Sequence, residues 1–186
     1  MRVRYLVFGT GSATGGIRSV VNQANALADR HDVEIVSVFK RRRPPFRLDP
    51  RVRRRTLMYR RRNPLKRLLV ALLERVPSRV VPEDENRFAD FSLATDLVVR
   101  RYLRRTDADV VIATRPALNL MAARFGSRSL TRIGEDHMNL RAYKPKLAGA
   151  IRRWYPELDA VTVLTAPDAA EYRNALGQAV RVEHLP

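Results

Sequence analysis

The segment from Arg4 to Phe39 constrains this chain most. A short apolar run, Arg4 to Gly9 (RYLVFG), breaks into a loop of glycines and small polar residues, Gly9-Thr-Gly-Ser-Ala-Thr-Gly-Gly16. Ile17, Val20, Val21, Ala24, Leu27 and Ala28 then recur at helical spacing over residues 16–30, and Val33 to Phe39 (VEIVSVF) is a second apolar run. A run of that length without alternation is a strand buried on both faces. Strand, glycine turn, amphipathic helix and strand together predict one βαβ unit, and hence a parallel pair of strands.

The rest of the chain repeats the alternation. Residues 51–59 are read as an outer strand. Leu65, Leu68, Leu69, Leu72, Leu73 and Val76 form an apolar stripe on a helix ended by Pro77, and residues 88–103 a longer helix. Residues 109–114, 129–134, 160–164 and 180–184 are further strands. Between them Pro116 opens a helix, Leu147, Ile151, Trp154, Tyr155 and Leu158 share one helical face, and Thr165 caps a helix that Gly177 stops. The expectation is an α/β fold: a Rossmann-like, doubly wound, mostly parallel sheet with helices on both faces. Ligands of such sheets bind beyond the carboxyl ends of the strands, which directs attention to the loops after Phe8, Phe39, Thr114, Gly134 and Leu164.

At 186 residues the chain is one domain with room for a core. It has no cysteine, which excludes disulfides, thiolate metal sites and cysteine nucleophiles. The amino terminus runs directly into the glycine loop and is read as a strand, not a signal peptide. A cytoplasmic location is the default. The net charge is +17, and its distribution matters more than its size. From Lys40 to Arg67 there are fourteen basic residues and one acid, Asp49. Arg41, Arg42, Arg43, Arg53, Arg54, Arg55, Arg60, Arg61 and Arg62 are the candidates for binding an anionic surface, and a merely solvated basic face is the alternative. The neighbouring leucine helix could dip into a membrane interface; a face packed on the sheet is the favoured expectation.

Two segments carry candidate chemistry. The glycine loop lets backbone approach a ligand, and the helix start behind it offers free N–H groups and a positive dipole to a phosphate. Glu135, Asp136 and His137 stand in the polar segment Gly134-Glu-Asp-His-Met-Asn139, where a histidine can stabilise charge or orient a hydroxyl and a carboxylate can set its tautomer. A loop histidine between solvent-facing acids is the equal alternative. His31 and His184 fall on surface or edge positions without paired-ligand spacing, so no metal is expected.

Gly15-Gly16-Ile17-Arg18 followed by Asn22, Ala24, Asn25, Ala26 and Leu27 resembles the first loop and helix of family 4 glycosyltransferases, retaining enzymes of the GT-B fold. Thr114-Arg-Pro-Ala-Leu-Asn-Leu120, Gly134 to Leu140, Leu158 to Thr165 and Val182 to Pro186 resemble an actinobacterial branch of that family, which includes enzymes acting on polyol-phosphate polymers. The resemblance leaves out residues 40–87. It implies that residues 1–186 are the N-terminal, acceptor-side domain, and that the C-terminal donor-binding domain is absent from this chain. It also implies transfer of a sugar from a nucleotide-sugar donor to an acceptor, with no cofactor and no activity from this chain alone. Gly15 and Gly16 would approach the donor phosphates, and His137 would be the catalytic histidine near the reacting sugar. Arg18, Thr114, Glu135, Asp136 and Asn139 would be site neighbours. The implied partners are the C-terminal domain, the nucleotide sugar and an anionic acceptor or membrane surface, in a cell-envelope role at the inner face of the plasma membrane.

Two rival readings remain. Gly9, Gly11 and Gly15 also fit an NADP-type Rossmann oxidoreductase, although Val38-Phe39-Lys40 supplies no ribose carboxylate and no tyrosine has a lysine four positions on. A basic nucleic-acid-binding module fits the charge, but the block offers only Phe46 and Tyr59 for stacking, so no nucleic acid is expected.

Overall fold

Seven strands lie side by side in a single sheet, and every neighbouring pair runs parallel. The computed structural model describes residues 1–11, 13–39, 44–58 and 64–185, with residues 64–67 described by backbone alone. In chain order the strands are β1 (Arg2–Val7), β2 (Asp32–Ser37), β3 (Arg53–Thr56), β4 (Val110–Thr114), β5 (Thr131–Asp136), β6 (Ala160–Val163) and β7 (Arg181–His184). Their order across the sheet is β3-β2-β1-β4-β5-β6-β7. The chain therefore leaves β1 to one side and returns on its other side at β4. Loops at the ends of these two strands diverge and leave a crevice between them.

The helices are α1 (Gly15–Leu27), α2 (Pro64–Glu74), α3 (Leu93–Arg105), α4 (Pro116–Phe125), α5 (Pro145–Trp154) and α6 (Ala166–Leu176). Alternation along β1 divides its side chains between two faces. Val3, Tyr5 and Val7 pack with Val20 and Ala24 of α1, together with Val33 and Ile35 of β2. Leu6 joins Val36, Val111 and Ala113 in the core on the other face, under α3, α4, α5 and α6. Helix α4 is buried from Pro116 to Ala123, as expected of a helix apolar all round, and it contacts β5, α3 and α5. Each large aliphatic side chain buried in these layers contributes about 1.5–3 kcal/mol.

The doubly wound, Rossmann-like architecture expected from the βα alternation is the one observed, and the structure revises three local expectations. First, α3 does not start at Phe88. Its start is a capping box in which Ser92 and Thr95 each bond the other's backbone N–H, while Phe91 is buried ahead of it.

Second, α2 does not lay Leu68, Leu69 and Leu72 on the sheet. It touches α3, and Leu68, Leu69 and Leu72 are 60%, 58% and 50% exposed. An amphipathic period predicts that a helix has an apolar face, but not what covers it.

Third, β5 runs two residues beyond Gly134. Glu135 and Asp136 are strand residues, 2% and 1% exposed, instead of members of a solvated loop. Their charges did not break the strand because each meets buried donors, on opposite faces of the sheet.

Candidate functional site

The carboxyl ends of β1, β4 and β5 lie together, and a cleft of about 480 Å³ opens above them. Its walls include Phe8, Gly9 and Gly16 from the glycine loop, Thr114 and Arg115 after β4, and His137 after β5. A Cβ at Gly16 would sit 3.4 Å from His137 Cδ2 and 3.5 Å from Nε2. Position 16 thus has room for a methyl in contact with the imidazole and for little more. The loops at residues 9–16 and 135–139, distant in sequence, touch through this pair.

Helix α1 begins at Gly15. Thr14 precedes it in extended conformation without a side-chain cap, and the first turn carries no acid. Its leading N–H groups therefore keep their capacity for an anion, and the helix dipole adds about 0.3–1 kcal/mol for a negative charge placed there. Two arginines reinforce this potential. The Arg115 guanidinium lies 5.1 Å from the centroid of the Phe8 ring, and that of Arg87 lies 4.7 Å from it. Phe8 is itself wedged between Phe39 (4.6 Å between centroids) and Phe91 (5.7 Å). Arg115 is also tied to Glu85, a carboxylate 3% exposed, by a short ion-paired hydrogen bond. Arg87 pairs with Asp90 at 2.7 Å, but both are exposed, so this pair is worth little and can yield to a better anion.

His137 is held from beneath. Glu135 Oε1 lies 3.7 Å from His137 Nε2 and accepts a hydrogen bond from Gln23 Nε2 at 2.8 Å. Gln23 also donates to Ser19 Oγ (3.0 Å) and accepts from the Tyr5 hydroxyl (3.1 Å). Burial, and after it the charge of Glu135, pushes the Tyr5 phenol above its ordinary range, so it remains a donor. Glu135 Oε2 and His137 Nε2 are buried and have no hydrogen-bond partner among the described residues. An imidazole over a buried carboxylate, open on its other side to a cleft, can orient a hydroxyl and carry positive charge.

Asp136 points to the opposite face and has a different task. Its carboxylate accepts from Tyr155 (3.1 Å), from Tyr172 (2.8 Å) and, through a short bond, from Tyr143. Burial pushes its carboxyl pKa up, against the lowering effect of the three tyrosines. Asn119 adds bonds to the Glu135 carbonyl (3.3 Å) and to the Tyr155 hydroxyl (3.0 Å). This polar node anchors the end of β5 to α4, α6 and the turn that carries Tyr143.

The other expected residues are dispersed. Gly15 is exposed, and a Cβ there would meet nothing within 4 Å. Arg18 is exposed on α1. Thr114 is partly buried on the cleft wall, with its hydroxyl 3.5 Å from the Leu6 carbonyl oxygen. Asn139 caps a 3₁₀ turn through the Ala142 N–H (2.9 Å). Arg53, Arg54 and Arg55 occupy β3, where alternation sends Arg54 to the face opposite its neighbours. Arg53 is paired with Asp32 at 2.7 Å. Arg41, Arg42, Arg43, Arg60, Arg61 and Arg62 lie outside the described residues.

Sequence reading missed Phe8, Arg87, Arg115, Gln23 and Ser19. Arg115 had a signal, since it directly follows a strand and precedes a helix-opening proline. Gln23 and Ser19 had none, being polar residues on a helix. Among the described residues, no group of three His, Asp or Glu could hold a metal ion, and no helix is long and apolar enough to cross a membrane.

No family model matches the sequence. The chain is 33% identical over 201 residues to an exopolysaccharide phosphotransferase of Streptomyces coelicolor, an alignment covering all of this chain and 20% of that protein. It thus spans about a fifth of its relative's length. Among solved structures it is similar to sucrose-phosphate synthase from Thermosynechococcus elongatus, with a TM-score of 0.61 and 13% identity, over 100% of this chain and 48% of that one. The second likeness shows the fold alone, a Rossmann-like α/β domain.

Proposed function

We propose that this chain is the acceptor-side wall of a sugar-transferring enzyme. In this reading it is the N-terminal domain of a retaining, family 4 type glycosyltransferase. A second Rossmann-like domain supplies most of the nucleotide-sugar site. The observation that carries the reading is the meeting of Gly16, His137 and Arg115 at the β1/β4 crevice. A close backbone approach, an uncapped helix start and a guanidinium address the donor's diphosphate there, and an imidazole seated on Glu135 addresses the reacting sugar. The similarity to a protein named an exopolysaccharide phosphotransferase supports a substrate of the saccharide class. The dinucleotide alternative is weaker. Where such folds place a ribose-binding carboxylate, at the end of the second strand, this chain has Phe39 packed on Phe8.

An anionic acceptor, or an anionic membrane surface that presents one, fits the basic segment between Lys40 and Arg67. The exposed leucines of α2 beside it favour the membrane.

The test is a titration of the chain with pyrophosphate and nucleoside diphosphates, followed by amide and imidazole NMR signals. Saturable shifts centred on Gly9, Gly16 and His137 are expected, and tight binding of NADP instead would overturn the reading. In the longer protein, His137→Ala should abolish turnover; unchanged turnover would remove the catalytic role of His137.

A further inference from the structure

Some arginines on this surface have an acid or a carbonyl to answer them. Arg2 reaches Asp109, Arg51 reaches Asp29 and Asp49, Arg132 reaches Asp159, and Arg173 reaches the Val182 carbonyl. One group does not. Arg55 at the edge of the sheet faces α3, where Val98, Arg101, Tyr102 and Arg105 recur at helical spacing along one stripe. Together they line a groove of about 320 Å³ that, among the described residues, no acidic side chain enters.

Arg55 sits over the Tyr102 ring at 5.6 Å. Among the described residues, neither Arg101 nor Arg105 has a hydrogen-bond or ion-pair partner. The nearby carboxylate of Glu34 is engaged by the buried Arg4, at 3.4 Å. The wall of the groove also contains the Thr56 hydroxyl, buried and without a partner among the described residues.

Three like charges around one concavity repel one another unless an anion joins them. The dipole of α3 accounts for a cation in its last turn, at Arg105, but not for Arg101 or for Arg55 on another element. A flat carboxylate offers its two oxygens in one plane. A tetrahedral phosphate can take guanidinium forks from several sides and a hydroxyl as well.

We propose that the groove between β3 and α3 is a binding site for a phosphate ester group. It shares no wall residue with the His137 cleft and requires nothing of the transfer chemistry. Arg55, Arg101 and Arg105 clamp the phosphoryl oxygens, and Thr56 adds a neutral hydrogen bond. A polyol-phosphate chain and a phospholipid headgroup present the same group.

The experiment is an NMR titration of the whole chain with glycerol phosphate at low ionic strength. A parallel arm uses vesicles of phosphatidylglycerol in phosphatidylcholine at matched salt. The amides of Thr56 and Leu57 should shift saturably. R101E/R105E should weaken binding at least about tenfold, as expected for the loss of two charge-assisted contacts. R128E/R152E, the same charge change at exposed positions elsewhere, should leave it intact. Thr56→Val, a nearly isosteric change, tests the site if the charge variant folds poorly and should weaken binding severalfold. Vesicle binding that falls with R101E/R105E identifies the headgroup as the source of the phosphate; binding of glycerol phosphate alone identifies the soluble ester. Absent shifts at Thr56, or equal weakening in both charge variants, would overturn the proposal. Either result leaves the pyrophosphate shifts at Gly16 and His137 as they are.

Discussion

Replacing Asp136 by alanine removes the acceptor shared by three tyrosine hydroxyls. Tyr155 and Tyr172 are 0% exposed, so water does not replace the lost carboxylate for them. A buried hydroxyl left without its acceptor costs about 1–3 kcal/mol. Tyr155 retains its bond from Asn119 as an acceptor, and Tyr143 is only partly buried, so the full penalty falls chiefly on Tyr172 and the donor side of Tyr155. Relief of a buried charge offsets part of the loss. The expected net destabilisation is about 3 kcal/mol, read from urea midpoints by circular dichroism.

Asp136→Asn keeps one carbonyl acceptor but must seat an amide among donors, so it should lose less than alanine. The pH dependence separates the two effects. Because burial raises the folded-state pKa of Asp136, the folded protein retains this proton at pH values where the unfolded chain has released it. Native stability from this group is therefore greatest below the ordinary carboxyl value of 3.8 and declines as pH rises from there to the raised folded value. The gap between wild type and Asp136→Asn should narrow over that window. A loss below about 1 kcal/mol for alanine would refute the account of a carboxylate held by tyrosines, and a gap that widens with pH would refute the dominance of burial over their hydrogen bonds.

Three further outcomes follow from distances in the structure. Gly16→Ala should fold and bind diphosphate nearly as wild type, whereas Gly16→Val should displace the His137 imidazole, visible as a shift of its ring signals with little change in melting temperature. Arg115→Ala leaves Glu85 buried without its cation and should cost about 3 kcal/mol in urea unfolding; Glu85→Gln in the same background should recover part of it. Asp109 is held at about 2 by its bonds to Arg2, so its stabilising contribution is complete above about pH 4 and disappears as pH falls toward 2. Asp109→Asn should therefore flatten the acid limb of the stability profile and leave neutral pH behaviour close to wild type's apart from the lost bond.

Strand runs and helical stripes predicted the layers because a parallel sheet buried on both faces selects apolar residues locally. The same logic marked Pro116, Thr165 and Gly177 as ends of helices, since each acts on its own backbone. His137 and the glycine loop were legible for a similar reason: they follow strands, and strand ends are where such sheets bind ligands.

What the sequence could not contain was partnership at a distance. Whether Glu135 and Asp136 end a strand or begin a loop depends on Gln23, more than a hundred positions earlier, and on three tyrosines from later elements. Whether the α2 leucines are covered depends on how far α3 stands from the sheet. Whether neighbouring arginines act together depends on the pleat, which separates Arg54 from Arg53 and Arg55, and on the crossover, which brings Arg101 and Arg105 to Arg55. Local propensity determined the elements; burial and the pairing of charges, which exist only once those elements are packed, decided which side chains share a site.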